Sequence, residues 1–172
     1  MKASSNTHEL DAAPWMRVET TLMSTARTLR EAFDVRFAPL NLNLTQAMVV
    51  AYVNEFGPIN QTQIADHLRV GRAVVGGIID RLQDRALVER RPDPVDRRVW
   101  QVGIMPDGVI VAHQIAQIDE VLRGELRNGI SREERFALAS VMSRLQQNLV
   151  RAMHATTSTT TTIPTYVTLE TP

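Results

Sequence analysis

Arg90, Arg91, Arg97 and Arg98 crowd the stretch LVERRPDPVDRRVW at residues 87–100, with Asp93 and Asp96 between them. A guanidinium is planar and carries five donors in a fixed fork, which suits phosphate oxygens and base edges as well as carboxylates. At the tip of a hairpin such a group can enter a narrow minor groove of DNA, where the negative potential is enhanced. The alternative is a solvated turn whose local ion pairs are worth about 0–1 kcal/mol each. Other chemistries lack their spacing. His8, His67, His113 and His154 are scattered, with neither His nor Cys three or four residues on, so no metal site is expected. No Gly-rich phosphate loop follows a strand and no nucleophile elbow is present. The chain is therefore expected not to be an enzyme and to need no cofactor. The acid pairs Asp119-Glu120 and Glu133-Glu134 read as solvated helix faces.

Composition narrows the partners. The chain has 172 residues, 44% hydrophobic and 22% charged, enough for one soluble domain with a core. Its formal net charge is +0, so attraction to nucleic acid must come from the distribution of charge rather than its total. Lys2 is the sole lysine, and Gln61–Met105 holds eight arginines and six acids, a net charge of +2. The absence of cysteine excludes disulfides, thiolate metal sites and thiol-based redox sensing. The opening MKASSNTHELDAAPW has no apolar core of signal-peptide length, and no apolar run approaches membrane-spanning length. A cytoplasmic protein without a membrane partner is expected.

Periodicity predicts the elements that must hold the arginines. Residues 1–12 are polar and read as a flexible N-terminus. Over 13–43, Trp15, Val18, Leu22, Leu29, Phe33 and Phe37 recur at steps of three, four and seven. They predict one long helix from Pro14 to a stop at Pro39. Thr45 is the expected cap of the next helix, which carries Met48, Val49, Tyr52, Val53 and Phe56 and ends at Gly57-Pro58. Asn60 and Gln63 have capping-box spacing and open a short helix with Ile64, Ala65 and Leu68. After a turn at Val70-Gly71, a helix over residues 72–85 turns Val75, Ile78, Ile79 and Leu82 inward. Two short helices joined by a tight Gly-containing turn predict a helix-turn-helix. Leu87–Arg91 and Arg98–Ile104 then read as two strands joined by the turn formers PDPVD, so 44–105 is expected to be a winged helix. Pro106 starts a long helix with Val111, Ile115, Ile118, Leu122 and Leu126 at heptad-like spacing, ended by Asn128-Gly129. Ser131 and Glu134 form another capping box before a helix with Leu138, Met142, Leu145, Leu149 and Met153 on one face. The tail, 154–172, is Thr-rich and of low complexity. The fold class expected is mainly α with a small β-hairpin wing. The long apolar stripes of 13–43 and 106–153 are most simply buried in a helical dimerisation region shared by two copies; an intramolecular bundle is the alternative.

Three segments between about Leu44 and Gly108, LTQAMVVAYV, GPINQTQIADHL and VGRAVVGGIIDRLQDRALVERRPDPVDRRVWQVGIMPDG, together carry a resemblance to the MarR family of bacterial transcriptional regulators. Its most specific parts are Asp80-Arg81-Leu82, Leu87-Val88-Glu89-Arg90 and Asp96-Arg97-Arg98. The flanking helices match in length and position. The resemblance implies a homodimer with two winged helix-turn-helix lobes below an all-helical dimerisation region. It implies binding to pseudo-palindromic double-stranded promoter DNA and, in a repressor, release by a small organic molecule, often aromatic, in a cleft between lobes and dimerisation helices. In the family's Asp-x-Arg, matched by Asp96 and Arg98, the carboxylate holds the guanidinium in position. The chain departs from the pattern at three places. Gly76 and Gly77 stand where the family usually has Thr and an Arg that reaches base or phosphate. Ala86 replaces the usual helix-ending Gly, so that helix is expected to end without a left-handed cap. Met105 replaces the usual Thr cap before Pro106, leaving Asp107 and solvent to serve the amides.

A recognition helix docks its N-terminal half in the major groove. Arg72 there can reach a phosphate or a guanine edge, and Val74 a thymine methyl. Arg81, farther along, can grip a phosphate or pair with a carboxylate such as Asp84. Gln61 and Thr62, at the start of the preceding helix, are candidate phosphate partners. Gly76 and Gly77 each cost about 1 kcal/mol of helix stability relative to Ala, and either let the backbone approach DNA or weaken direct readout. Arg97 and Arg98, with Asp96, are the minor-groove candidates; Arg90 and Arg91 more readily brace the hairpin. An effector cleft is expected between the first long helix, the Thr45 helix and the helix after Pro106. Its candidate contacts are Trp15, Arg17, Arg36, Tyr52, His67 and His113, although an arginine such as Arg36 more often covers a core edge. A winged-helix protein-interaction module without operator readout is the competing class, and the two glycines favour it.

Overall fold

The computed structural model describes residue 13 and residues 17–158. Pro14, Trp15, the segment 1–12 and the Thr-rich tail after Ser158 lie outside the described residues. The chain divides into two compact units between Glu125 and Leu126. In the first, α1 spans Val18–Phe37 and runs into a 3-10 turn, Ala38–Leu40. It is followed by α2 (Leu44–Phe56), β1 (Ile59–Asn60), α3 (Gln61–Leu68), α4 (Arg72–Asp84), β2 (Val88–Pro92), β3 (Trp100–Ile104) and α5 (Pro106–Leu126). The second unit contains α6, Arg132–Ser158, which runs past residue 153 into the segment expected as tail. Among the described residues no helix is long and apolar enough to cross a membrane.

Polar caps set the helix starts. Asn43, not Thr45, caps α2: its side chain accepts from the Gln46 N–H at 2.9 Å, and the Gln46 side chain accepts from the Asn43 N–H at 3.0 Å. A cap residue stands just outside the helix, where its oxygen can turn back onto the third amide. Thr45 is already inside, at the second helical position, and its hydroxyl accepts from Arg30 Nη1 at 3.2 Å. Asn60 and Gln63 close the expected box at α3, at 2.9 and 3.0 Å. Ser131 and Glu134 do so at α6, at 3.1 and 2.8 Å.

The end of α4 corrects another expectation. Ala86 takes φ +53°, its N–H donates to Gln83 O at 2.9 Å, and the Leu87 N–H donates to Leu82 O at 3.0 Å. This is a Schellman turn, so the left-handed cap is present although the residue is not glycine. Leu82 and Leu87 on either side of it are buried. Their burial holds alanine in a conformation that costs it about 1–2 kcal/mol.

The first strand of the hairpin lies one residue later than the expected Leu87–Arg91, the second starts two residues later than expected and ends at Ile104 as expected, and a third strand joins them. Ile59 and Asn60 pair with Val102 and Gln101, giving an antiparallel sheet of order β1-β3-β2. Two residues are too few to show alternation in sequence. The β2–β3 ladder runs from Val88↔Ile104 to Pro92↔Trp100. Pro92 lacks an N–H and is tolerated because β2 is an edge strand.

One core ties the hairpin to the helices. Phe37, Val49, Val50, Val53, Ile64, Val75, Ile79, Leu82, Val88 and Val102 are each 2% exposed or less. Ala112 and Ile115 of α5 join the same cluster. The inward residues predicted for α4 are the ones found buried. At the start of α5 a Cβ on Gly108 would stand 2.0 Å from Leu87 O and 2.7 Å from Ile104 Cδ1. Only glycine lets α5 approach the hairpin base so closely. In the second unit Met142 and Leu145 are half-buried, whereas Leu138, Leu149 and Met153 are exposed.

Candidate nucleic-acid interface

Burial of Val75, Ile78, Ile79 and Leu82 decides which side of α4 faces out. Arg72, Ala73, Val74, Gly77, Asp80 and Arg81 are exposed. The N-cap, Gly71, supplies no side-chain hydrogen bond, and no acid stands in the first turn. A cation at that end opposes the helix dipole, a placement that costs stability and favours an anionic partner. Gln61 is not a free amide: its Nε2 donates to Arg72 O at 2.9 Å, tying the start of α3 to the first turn of α4. Thr62 follows it in the first turn of α3. The two glycines have different surroundings. A Cβ on Gly76 would stand 3.0 Å from Gln61 Nε2, whereas one on Gly77 would meet nothing within 4 Å. Gly76 is packed; Gly77 is bare backbone on the outward face.

The wing is fastened to α4 by Arg90. Its Nη1 lies 2.6 Å from Asp80 Oδ1 and its Nη2 donates to Gly76 O at 3.3 Å. Arg91 pairs loosely with Glu89 at 3.6 Å, and its guanidinium covers Gly103, about 3.4 Å from where a Cβ would be. Both arginines thus brace the hairpin. Asp93, which was not among the expected site residues, organises the tip. Its Oδ1 accepts from the N–H groups of Val95 (2.7 Å) and Asp96 (3.0 Å), and its Oδ2 from Gln101 Nε2. The Asp96 and Val95 N–H groups, helped by the Gln101 amide and opposed by slight desolvation, hold its carboxyl below the usual aspartate value. An Asp ahead of turn formers is the cue that marks it in sequence.

Asp96 corrects the expectation drawn from Asp-x-Arg. Its Oδ1 accepts from the backbone N–H of Arg98 at 3.0 Å, and it does not pair with the guanidinium. A short carboxylate reaches the amide two residues on more readily than the end of a long side chain there. Asp96 therefore fixes the turn while the Arg98 side chain projects. Among the described residues Arg72, Arg81, Arg97 and Arg98 are exposed and form no ion pair; Asp84 does not take Arg81.

A cavity of about 410 Å³ lies between α1, α2 and α5, the three helices expected to frame a cleft. Phe33, Phe37, Met48 and Ile115 make its wall apolar, and Asp119 and Arg123, paired at 2.8 Å, add the only charges. None of the five described ligand candidates lines it. Arg36 turns to Glu125 at 2.6 Å and borders a separate cavity of about 220 Å³. Tyr52 stacks on His67 with ring centroids 4.0 Å apart, and Phe56 flanks Tyr52 at 4.9 Å. His113 is exposed one residue beyond the buried Ala112, and Arg17 is the N-cap of α1. Trp15 lies outside the described residues. The i,i+4 spacing of Asp119 and Arg123, one turn beyond Ile115, was the cue in sequence.

Residues 40–99 match the model of the MarR family. The fold is similar to that of the transcriptional regulator SlyA: TM-score 0.71, 22% identity, over 81% of this chain and 98% of that chain. It is similar to Bordetella bronchiseptica BpsR, whose DNA binding is regulated by 6-hydroxynicotinic acid: TM-score 0.72, 21% identity, 78% and 96%. It is also similar to S. aureus MepR in a complex with DNA: TM-score 0.72, 16% identity, 76% and 97%.

Proposed function

The winged helix of this chain belongs to the MarR family, and from it we propose a homodimeric, DNA-binding transcriptional regulator that represses from pseudo-palindromic promoter sites and is released by a small organic ligand. One observation carries the DNA part. Arg72 and Arg81 on α4 and Arg97 and Arg98 on the wing are exposed without ion-pair partners among the described residues, while Arg90 locks the two elements together. Cations left unpaired on two rigidly joined elements suit a polyanion. The MepR–DNA complex supports the same partner.

The dimer is supported by apolar exposure on helices of both units. Met23 and Val35 of α1 are 70% and 71% exposed, and Phe136 and Met153 of α6 are 64% and 70% exposed. Apolar surface on that scale favours pairing with a second copy. The cavity between α1, α2 and α5 has the size and apolar lining of a small-ligand site, and BpsR is regulated through such a ligand. No catalytic activity is proposed, and the site of action is the cytoplasm, where promoter DNA lies. The test is a mobility shift of the purified protein with DNA from upstream of its own gene. Binding that weakens steeply with salt is expected. No binding to any upstream fragment at low salt would refute the proposal and favour a protein-interaction module.

A further inference from the structure

Val74 is the one large side chain that α4 presents between its outward cations; it is 56% exposed. Between Arg72 and Asp80 the sequence is AVVGGII, with no side-chain donor or acceptor. Val75, Ile78 and Ile79 are buried, and Gly76 packs against Gln61. What faces out is Ala73, Val74 and the bare backbone of Gly77, and a Cβ on Gly77 would meet nothing within 4 Å. Val74 and Gly77 lie three residues apart, on one face, as a knob beside a hollow. Asp80 is engaged by Arg90 at 2.6 Å, so its carboxylate is not free to accept from a base. The next outward cation, Arg81, stands about 13 Å along the helix from Arg72. Within that span residues 73–79, about 10 Å of helix or about three base pairs, carry no side chain that can hydrogen-bond to a base edge.

The only apolar group that a base pair displays in the major groove is the thymine C5-methyl. We propose that the centre of α4 reads thymine by its methyl group, with Val74 against the methyl and the backbone at Gly77 close enough to seal the contact. Thymine in the central steps of each half-site, rather than guanine hydrogen-bonded to an arginine, then sets specificity there. The inference rests on the reading of α4 as the helix that enters the major groove.

The test replaces thymine by deoxyuridine, one position at a time, in a promoter duplex that the protein binds. The exchange removes one methyl and leaves every hydrogen-bonding group. At one or two positions per half-site affinity should fall about three- to fivefold per methyl. Val74→Ala should bind the thymine duplex more weakly and lose its preference for thymine over uracil at those same positions. Equal binding of thymine and uracil duplexes throughout the footprint, with tight binding retained, would overturn the inference and leave DNA binding intact. Failure to bind any duplex would overturn both.

Discussion

Gly77→Ala should make the protein more stable and a poorer DNA binder. Alanine gains about 1 kcal/mol over glycine in a helix interior. At Gly77 nothing lies within 4 Å of the added Cβ, so no packing cost offsets that gain. For a chain of this length, 1 kcal/mol raises Tm by about 2–4 °C. Gly76→Ala is the control. Its Cβ would stand 3.0 Å from Gln61 Nε2, so the amide must shift from its 2.9 Å bond to Arg72 O. Losing that bond costs about 0.5–1.5 kcal/mol, which cancels the helical gain and leaves Tm near its original value. On DNA the order reverses. A methyl at residue 77 holds the outward backbone off the base edges at a cost of about 1–3 kcal/mol, or roughly tenfold in Kd. Thermal unfolding by circular dichroism and fluorescence anisotropy on a promoter duplex measure the two effects. A Gly77→Ala protein that melts lower than wild type, or binds DNA as tightly, would refute the reasoning.

Three further outcomes follow from the same geometry. Arg90→Ala removes the bond to Asp80 and the one to Gly76 O. Because Asp80 is largely exposed, stability should fall by only about 1 kcal/mol in denaturant titrations. DNA affinity should nonetheless fall modestly at every sequence tested, because the hairpin loses its polar tie to α4 at Asp80 and Gly76 while the shared core still holds its base. Ala86→Gly relieves the positive φ and should raise stability by about 0.5–1 kcal/mol without altering DNA affinity. The wing tip should be acid-labile. The folded-state pKa of Asp93 is depressed, so its contribution is complete above the ordinary value of 3.8 and is lost as pH falls through the lower folded value. Protection of the Val95 and Asp96 amides, taken as the exchange rate relative to that of an unstructured peptide at the same pH, should therefore hold steady from neutral pH down to 3.8 and be lost only below it; a loss of protection near neutrality would contradict it.

Much of the first unit could be read in the sequence because its elements obey local rules. Four apolar residues at helical spacing gave the inward face of α4, and Asn60 with Gln63 gave the start of α3. What escaped depended on tertiary structure. Nothing in Ile59-Asn60 marks a strand until β3 offers an edge to pair with. Ala86 has a left-handed φ because its neighbours are buried, against its own preference. That Arg90 braces the hairpin while Arg97 projects could be read from their places on strand and loop, but that Arg90 does so by gripping Asp80 and Gly76 O of α4 depends on which side of the hairpin meets that helix. The three helices that frame the cavity were legible, but its lining was not. The reading that made Arg36 a cleft candidate could not tell that it turns to Glu125.

The most direct measurement is the salt dependence of binding to a promoter duplex for wild type and for the Arg97→Ala, Arg98→Ala double variant. Each phosphate neutralised by a cation adds close to one unit to the slope of log K against log salt. If the exposed wing arginines grip DNA, the variant should bind more weakly at low salt and its slope should fall by about one for each phosphate it no longer neutralises. A variant with wild-type affinity and slope would contradict the account, because the wing cations would then be touching nothing.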